Sequence, residues 1–260
     1  MGCINILSGY SQNSHQKIDD ALSVLVLNLM PNRLETEHQI IDLLQQTDLK
    51  INLNFCRMAS HHIKNFDPEI IEKYVTTKDV LDNHFDALIV TGAPLDRKHF
   101  NEVDYWNEFV DFINWRKTHV DTCLFSCWAA WAAGTIDGIL TGQQLDQKIY
   151  GVYTTDGITM PQSRYFTIPK NNVKATVLAG NDTIGATLIF DSNTNSYYVT
   201  GHLEYGTKTL ADEYFRDVKK GLATKKPSNY FDNQDHPINS WHTDATTFYI
   251  NWLNQFTSSK

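Results

Sequence analysis

Apolar residues recur along this chain in short runs of strand length, separated by stretches with helical spacing. Leu22 to Leu29 is a leucine and β-branched run that stops at Met30-Pro31. Leu34 to Gln46 follows, with Ile40, Ile41, Leu43 and Leu44 supplying the apolar face of a predicted helix. Leu49 to Phe55 alternates as a strand does, and a polar stretch, Ser60 to Asn65, leads to Pro68–Tyr74 and a helix-like Thr77 to Asn83. Ala87-Leu88-Ile89-Val90 is apolar throughout and closes on the turn Thr91-Gly92-Ala93-Pro94. Tyr105 to Trp115 carries Trp106, Phe109, Val110 and Ile113 at helical intervals. Val120 to Ser126 is a further strand, running into the small-residue helix Trp128 to Ala133.

The second half is less regular. Gly134 to Gln147 reads as loop or broken helix. Lys174–Leu178, Thr187–Phe190 and Tyr197–Val199 read as strands joined by polar turns at Gly180-Asn181-Asp182 and Asn193–Ser196. Thr209 to Lys220 is a predicted helix ended by Gly221, Pro227 to Asn239 is polar and irregular, and Thr246 to Phe256 is a terminal amphipathic helix. Alternating strands and helices predict an α/β fold, a mostly parallel sheet flanked by helices with an antiparallel extension. Ligands of such a sheet collect at the carboxyl ends of its strands. Residues 1–20 are set apart as a polar N-terminal segment, and 21–260 form a single domain. No repeat or low-complexity segment interrupts this reading.

Composition narrows the function. The chain has 260 residues, is 42% hydrophobic and 20% charged, and carries a formal charge of −8, which argues against a long nucleic-acid-binding face. No apolar run approaches the length of a membrane span, and no targeting segment is evident, so no membrane partner is expected. The four cysteines, Cys3, Cys56, Cys123 and Cys127, lack metal-ligand pairing. A reduced, cytoplasmic protein without a bound metal is the expectation.

Cys127 carries the chemistry. It lies where a strand turns into a helix, a place that holds a thiol out of the core and offers free helix N–H groups to its thiolate. Cys123, inside the same strand, reads as core. Downstream, Thr200-Gly201-His202-Leu203-Glu204 places a histidine and a carboxylate two residues apart after another strand, on the same side if the backbone is extended. A thiol nucleophile, a base and an orienting acid point to acyl transfer, with backbone donors from Gly92-Ala93 and the following helix for the oxyanion. Arg164 and Arg216 are candidate carboxylate binders, Asp96 follows the Gly92 turn, and Lys148 is a candidate for contact with a phosphate or oxyanion. Glu35-Thr36-Glu37-His38 lacks the second histidine of a zinc helix.

Several stretches together resemble the homoserine O-acyltransferases, whose fold is similar to the class I glutamine amidotransferases, a flavodoxin-like three-layer sandwich. They are Leu27-Asn28-Leu29-Met30-Pro31 with Glu35-Thr36-Glu37, Val90-Thr91-Gly92-Ala93-Pro94, Val103-Asp104-Tyr105-Trp106, Cys127-Trp128-Ala129, Ser163-Arg164-Tyr165, Val199-Thr200-Gly201-His202 with Glu204-Tyr205, Arg216-Asp217, Asn229-Tyr230-Phe231 and Asn251-Trp252-Leu253-Asn254. The resemblance implies that Cys127 takes an acyl group from acyl-CoA as a thioester, with His202 as base and Glu204 as its partner. It implies an oxyanion hole from the Trp128 N–H and the Gly92-Ala93 turn, and Arg216 on the amino acid's carboxylate. Ser163 falls in the substrate-side loop, and Lys148 on an active-site lysine. Asp96 falls where succinyl-using members carry glycine and acetyl-using members glutamate, which implies acetyl-CoA as donor. No tightly bound cofactor is implied, and a homodimer is the family's assembly.

The chain departs from the family pattern at Leu203, usually proline, at Gln162, usually histidine, and at Trp131, usually glutamine. It is also shorter between Val152 and Ser163, and reads Trp241-His242-Thr243-Asp244 near its end. These changes spare the catalytic residues and surround them. L-Homoserine is the default acceptor. L-Serine by the same ping-pong route, succinyl-CoA as donor, glutamine amidohydrolysis, and a non-enzymatic ligand-binding role on the same fold are the alternatives.

Overall fold

The computed structural model describes residues 2–61 and 68–256; most of the Ser60–Asn65 stretch lies outside them. The strands are β1 (Cys3–Ser8), β2 (Leu22–Leu27), β3 (Lys50–Arg57), β4 (Val75–Thr76), β5 (Phe85–Val90), β6 (Val120–Ser126), β7 (Gln143–Thr155), β8 (Ile158–Thr167), β9 (Thr176–Asn181), β10 (Gly185–Asp191) and β11 (Ser196–Val199). The helices are α1 (Arg33–Gln45), α2 (Glu69–Lys73), α3 (Trp106–His119), α4 (Trp128–Ile136), α5 (Thr209–Lys219) and α6 (His242–Asn254).

Among the described residues, nine strands form one sheet in the order β1-β3-β2-β5-β6-β11-β10-β9, with β4 on β3. Pairing is parallel from β1 through β11, and β10 and β9 extend the sheet antiparallel. Period-two alternation sends side chains to both faces. Val24 and Val26 of β2 pack in the cluster that contains Ile40, Leu44, Trp252 and Leu253 of α1 and α6. Leu25 and Leu27 pack in the one that contains Phe109, Phe112 and the Trp128–Ala133 stretch of α3 and α4. Both faces are therefore covered, as the apolar runs required.

The strands, helices and antiparallel edge expected from the pattern are present, with three differences. The N-terminal segment is not set apart: β1 pairs in parallel with β3. Its polar Asn5 is buried because its amide donates to Asn52 Oδ1 (2.7 Å) and to the Gln16 carbonyl (2.8 Å). The chain beyond it is tied by Glu37, which accepts from the Tyr10 and Ser11 N–H groups and from Tyr74 Oη. The 20/21 boundary thus divides no structural unit.

The stretch Gly134 to Gln147 is not a loop. α4 continues through Gly134, where a Cβ would come within 2.4 Å of Leu140 Cδ2, so this glycine serves close packing rather than a break. β7 then starts at Gln143 and pairs with β8 as a separate hairpin. Its two-residue turn, Asp156-Gly157, has positive φ at both positions (47° and 80°), the type I′ geometry that favours this dipeptide. Finally, Thr77–Asn83 shrinks to one 3-10 turn, Thr77–Val80.

Two arginines, Arg116 and Arg164, are almost wholly buried. Arg116 of α3 pairs with Asp137 just beyond α4, and Tyr198 Oη donates to the same carboxylate at 2.7 Å. Removing one partner of a buried pair leaves an uncompensated charge. Asp137→Asn is therefore expected to cost about 3–5 kcal/mol, read as a lower urea midpoint with an unchanged slope.

Candidate active site

β2, β5, β6 and β11 are neighbours with a common direction, so their carboxyl ends open on one side. Cys127 follows β6, Gly92-Ala93 follows β5, Met30-Pro31 follows β2 and His202 follows β11. Cys127 sits at φ 49° and ψ −117° as the cap of α4, a conformation that L residues rarely adopt. Its N–H donates to the Val199 carbonyl at 2.7 Å and its carbonyl accepts from Ala130 N–H at 3.0 Å. The residue is thus held between the parallel strand and the helix. Gly92 is required by close approach: a Cβ there would lie 3.0 Å from His202 Cε1 and 3.2 Å from Cys127 Cβ. The expected oxyanion donors, Gly92, Ala93 and Trp128, flank the thiol on these two turns, and helix α4 leaves its first N–H groups without intrahelical acceptors.

His202 Nδ1 and Glu204 Oε1 are 2.7 Å apart, both side chains buried. The backbone here is not extended. β11 ends at Val199 and residues 200–205 turn, with Tyr205 N–H donating to the His202 carbonyl at 3.4 Å. The dyad meets across a turn rather than along one face of a strand. Tyr205 then stacks on the imidazole, with ring centroids 4.0 Å apart and planes at 17°. Burial opposes a charge on His202, but Cys127 and Glu204 together hold its pKa well above the ordinary imidazole value. That favours an imidazolium between the two acidic groups. Cys123, by contrast, is buried in β6 with its pKa pushed up to about 11 by desolvation, as expected of a core thiol.

A cavity of about 200 Å³ opens over the dyad. Cys127, His202, Asp96, Lys148, Ser163 and Arg216 all line it, which brings together six residues singled out from the sequence. Asp96 accepts from Tyr165 N–H at 2.6 Å, and burial raises its pKa against that hydrogen bond. Arg216 is half exposed and pairs with Asp217 at 2.9 Å.

Arg164 is the exception. Its guanidinium has no exposed surface and does not reach the cavity. Nε donates to Gln162 Oε1 (2.7 Å), Nη2 to the Ile184 carbonyl (2.7 Å), and Nη1 to the Phe166 carbonyl. Strand alternation explains the correction. Ser163 and Tyr165 face the cavity, so Gln162, Arg164 and Phe166 face away from it, and Arg164 cannot hold a substrate carboxylate.

Two functional residues escaped the sequence reading. Glu213 of α5 lines the cavity and accepts from Ser163 Oγ (2.6 Å) and Tyr205 Oη (2.7 Å), with Lys148 Nζ at 3.4 Å. Tyr205 joins Glu213 to the His202 ring. The signal for Glu213 was its place three residues before Arg216 on one helix, where both share a face.

Comparison with known proteins places relatives along nearly the whole chain. The model of the family described as homoserine O-succinyltransferase covers residues 4–260. A homoserine O-acetyltransferase of Leuconostoc mesenteroides is 41% identical over 94% of this chain and 85% of its own length. One of Lactococcus lactis subsp. cremoris is 38% identical over 90% and 80%. A homoserine O-succinyltransferase of Proteus mirabilis is 40% identical over 90% and 83%. Among solved structures, a glutamine amidotransferase of Thermotoga maritima superposes with a TM-score of 0.52 at 12% identity, covering 92% of this chain and 97% of that one. Another, from Methylobacillus flagellatus, gives 0.54 at 9% identity over 90% and 94%. The structural likeness shows the amidotransferase-like fold, and the sequence matches show more: this chain belongs to the homoserine O-succinyltransferase family.

Proposed function

We propose that this protein transfers an acetyl group from acetyl-CoA through a Cys127 thioester to the hydroxyl of L-homoserine. One observation carries the reading: a strained cysteine with a His202–Glu204 dyad opens into a cavity that also holds Arg216 and Glu213. Those last two are a cation and an anion on one helix face, complementary to the carboxylate and ammonium of an amino acid. The names of the relatives all give homoserine as acceptor, and those of Leuconostoc and Lactococcus give acetyl as the group transferred.

The Cys127 thiolate attacks the acetyl carbonyl, and the oxyanion lies toward the N–H groups of Trp128 and the Gly92-Ala93 turn. The C–S bond to CoA breaks, and the leaving thiolate takes the proton of the His202 imidazolium. Neutral His202 then accepts the proton of the acceptor hydroxyl as its oxygen attacks the thioester. The released Cys127 thiolate and the imidazolium restore the starting pair. Asp96 favours the acetyl group. A succinyl carboxylate would meet a second carboxylate whose own charge burial already disfavours. CoA enters as a co-substrate rather than as a resident group.

The deciding experiment weighs the intact protein after acetyl-CoA or succinyl-CoA and then adds L-homoserine or L-serine. An acetyl adduct absent in Cys127→Ala and discharged by homoserine is expected. No adduct from either donor, with release of ammonia from glutamine, would replace this reading by amidohydrolysis.

Glu204→Gln removes one of the two groups that hold His202 charged, so the imidazolium deprotonates at lower pH. The alkaline limb of kcat/KM for acetyl-CoA should move down in pH, with the maximum falling about 10²-fold or more.

Glu213→Gln should raise KM for homoserine by about ten- to a hundredfold, the worth of one charged hydrogen bond. Formation of the acetyl-enzyme should continue at nearly the original rate. Single-turnover measurement of each half-reaction separates the two.

A further inference from the structure

The two buried arginines present a contrast. Arg116 has a carboxylate partner, whereas Arg164 has three hydrogen-bond acceptors and all are uncharged: one amide oxygen and two backbone carbonyls. No carboxylate pairs with Arg164 among the described residues. A guanidinium taken wholly out of water without a counter-ion is costly. These three bonds fasten β8 to the Ile184 carbonyl but leave the positive charge without an anion.

Its surroundings place it beside the turn that carries Cys127. The next inward side chain of β8, Phe166, stacks on Trp131 with ring centroids 5.0 Å apart, and Trp131 is one turn beyond Cys127 on α4. On the other side, Gln162 Nε2 lies 2.5 Å from where a Gly201 Cβ would stand, and Pro161 O accepts from His202 N–H at 2.9 Å. Arg164 is therefore wedged between the helix that begins at Cys127 and the loop that carries His202. Burial pushes its pKa down to about 10, and Cys127 opposes that most strongly, ahead of Tyr153 and Asp96.

We propose that Arg164 is the fixed counter-charge of the Cys127 thiolate, a positioning residue that acts through the nucleophile from beneath the cavity without touching substrate. The other charged or titratable groups acting there are Asp96 beyond β5, His202, Glu204 and Tyr205 beyond β11, and Lys148 of β7 near Asp96. His202 can supply one positive charge only while it holds the thiol's proton. Arg164 cannot give its charge up. It would keep the thiolate favoured in the second half-reaction, when the thioester expels sulfur and His202 has just taken a proton from the acceptor. The inference rests on Cys127 as nucleophile and on neither the acyl donor nor the acceptor.

The test is alkylation of Cys127 by iodoacetamide against pH, read by peptide mass spectrometry, with exposed Cys3 as the control in the same molecule. Arg164→Gln removes the charge and should move the half-maximal pH of Cys127 alkylation up by about one pH unit or more, with Cys3 unchanged. Arg164→Lys keeps a charge at the cost of the fork and should stay near the wild-type profile, even if its urea midpoint falls as far as that of the glutamine variant. A profile unmoved in Arg164→Gln, or moved equally in both variants, would overturn the proposal and leave Arg164 a fastener. If Arg164→Gln does not fold, Arg164→Lys decides alone: a retained profile supports the role and a raised one rejects it. Absence of acyl transfer would sink the proposed function without changing this result.

Discussion

Cys127 is held at φ 49° and ψ −117°, and most of the site follows from that constraint. An L residue stays there only if both flanks are fixed. Here the flanks are β6, paired in parallel on both sides, and α4, whose small residues pack without exposed surface against the sheet. The turn lifts the thiol above the strand ends and aims the first helix N–H groups at the same space. It also sets the spacing to Gly92, where a Cβ would crowd Cys127 and His202.

Charged groups cluster around this point. Glu204 backs His202. Asp96 and Glu213 stand on the cavity wall with Lys148 and Arg216. In a low-dielectric site each charge raises the value of its opposite neighbour and the cost of a like one. Ser163, Lys148 and Tyr205 all converge on Glu213 in the free protein. This end of the cavity is thus built around a carboxylate.

Local patterns foretold the scaffold because each β-α unit buries its own apolar run. β6, for example, occupies the very residues that the Val120–Ser126 pattern suggested. β1 was hidden by its polar residues, since Asn5 is acceptable inside only because Asn52, far along the chain, completes its hydrogen bonds. The β7–β8 hairpin was legible in Asp156-Gly157 but fell in a stretch with no clean alternation. That Arg164 turns away from the cavity could not be read at all. A sequence shows that an arginine is present, but which face of a strand it takes depends on register.

The sequence by itself determined the alternation of strands and helices from β2 to α4, the strand-to-helix elbow at Cys127, the pairing of histidine with glutamate and the family, because these depend on neighbours within a few residues. The tertiary structure alone decided that Glu213 joins the cavity and Arg164 leaves it. It also decided that the dyad closes across a turn and that the N-terminal segment is an edge strand. Each of these depends on contacts between residues far apart in the chain, where the cost of burying a polar or charged group is set by whatever the fold brings beside it.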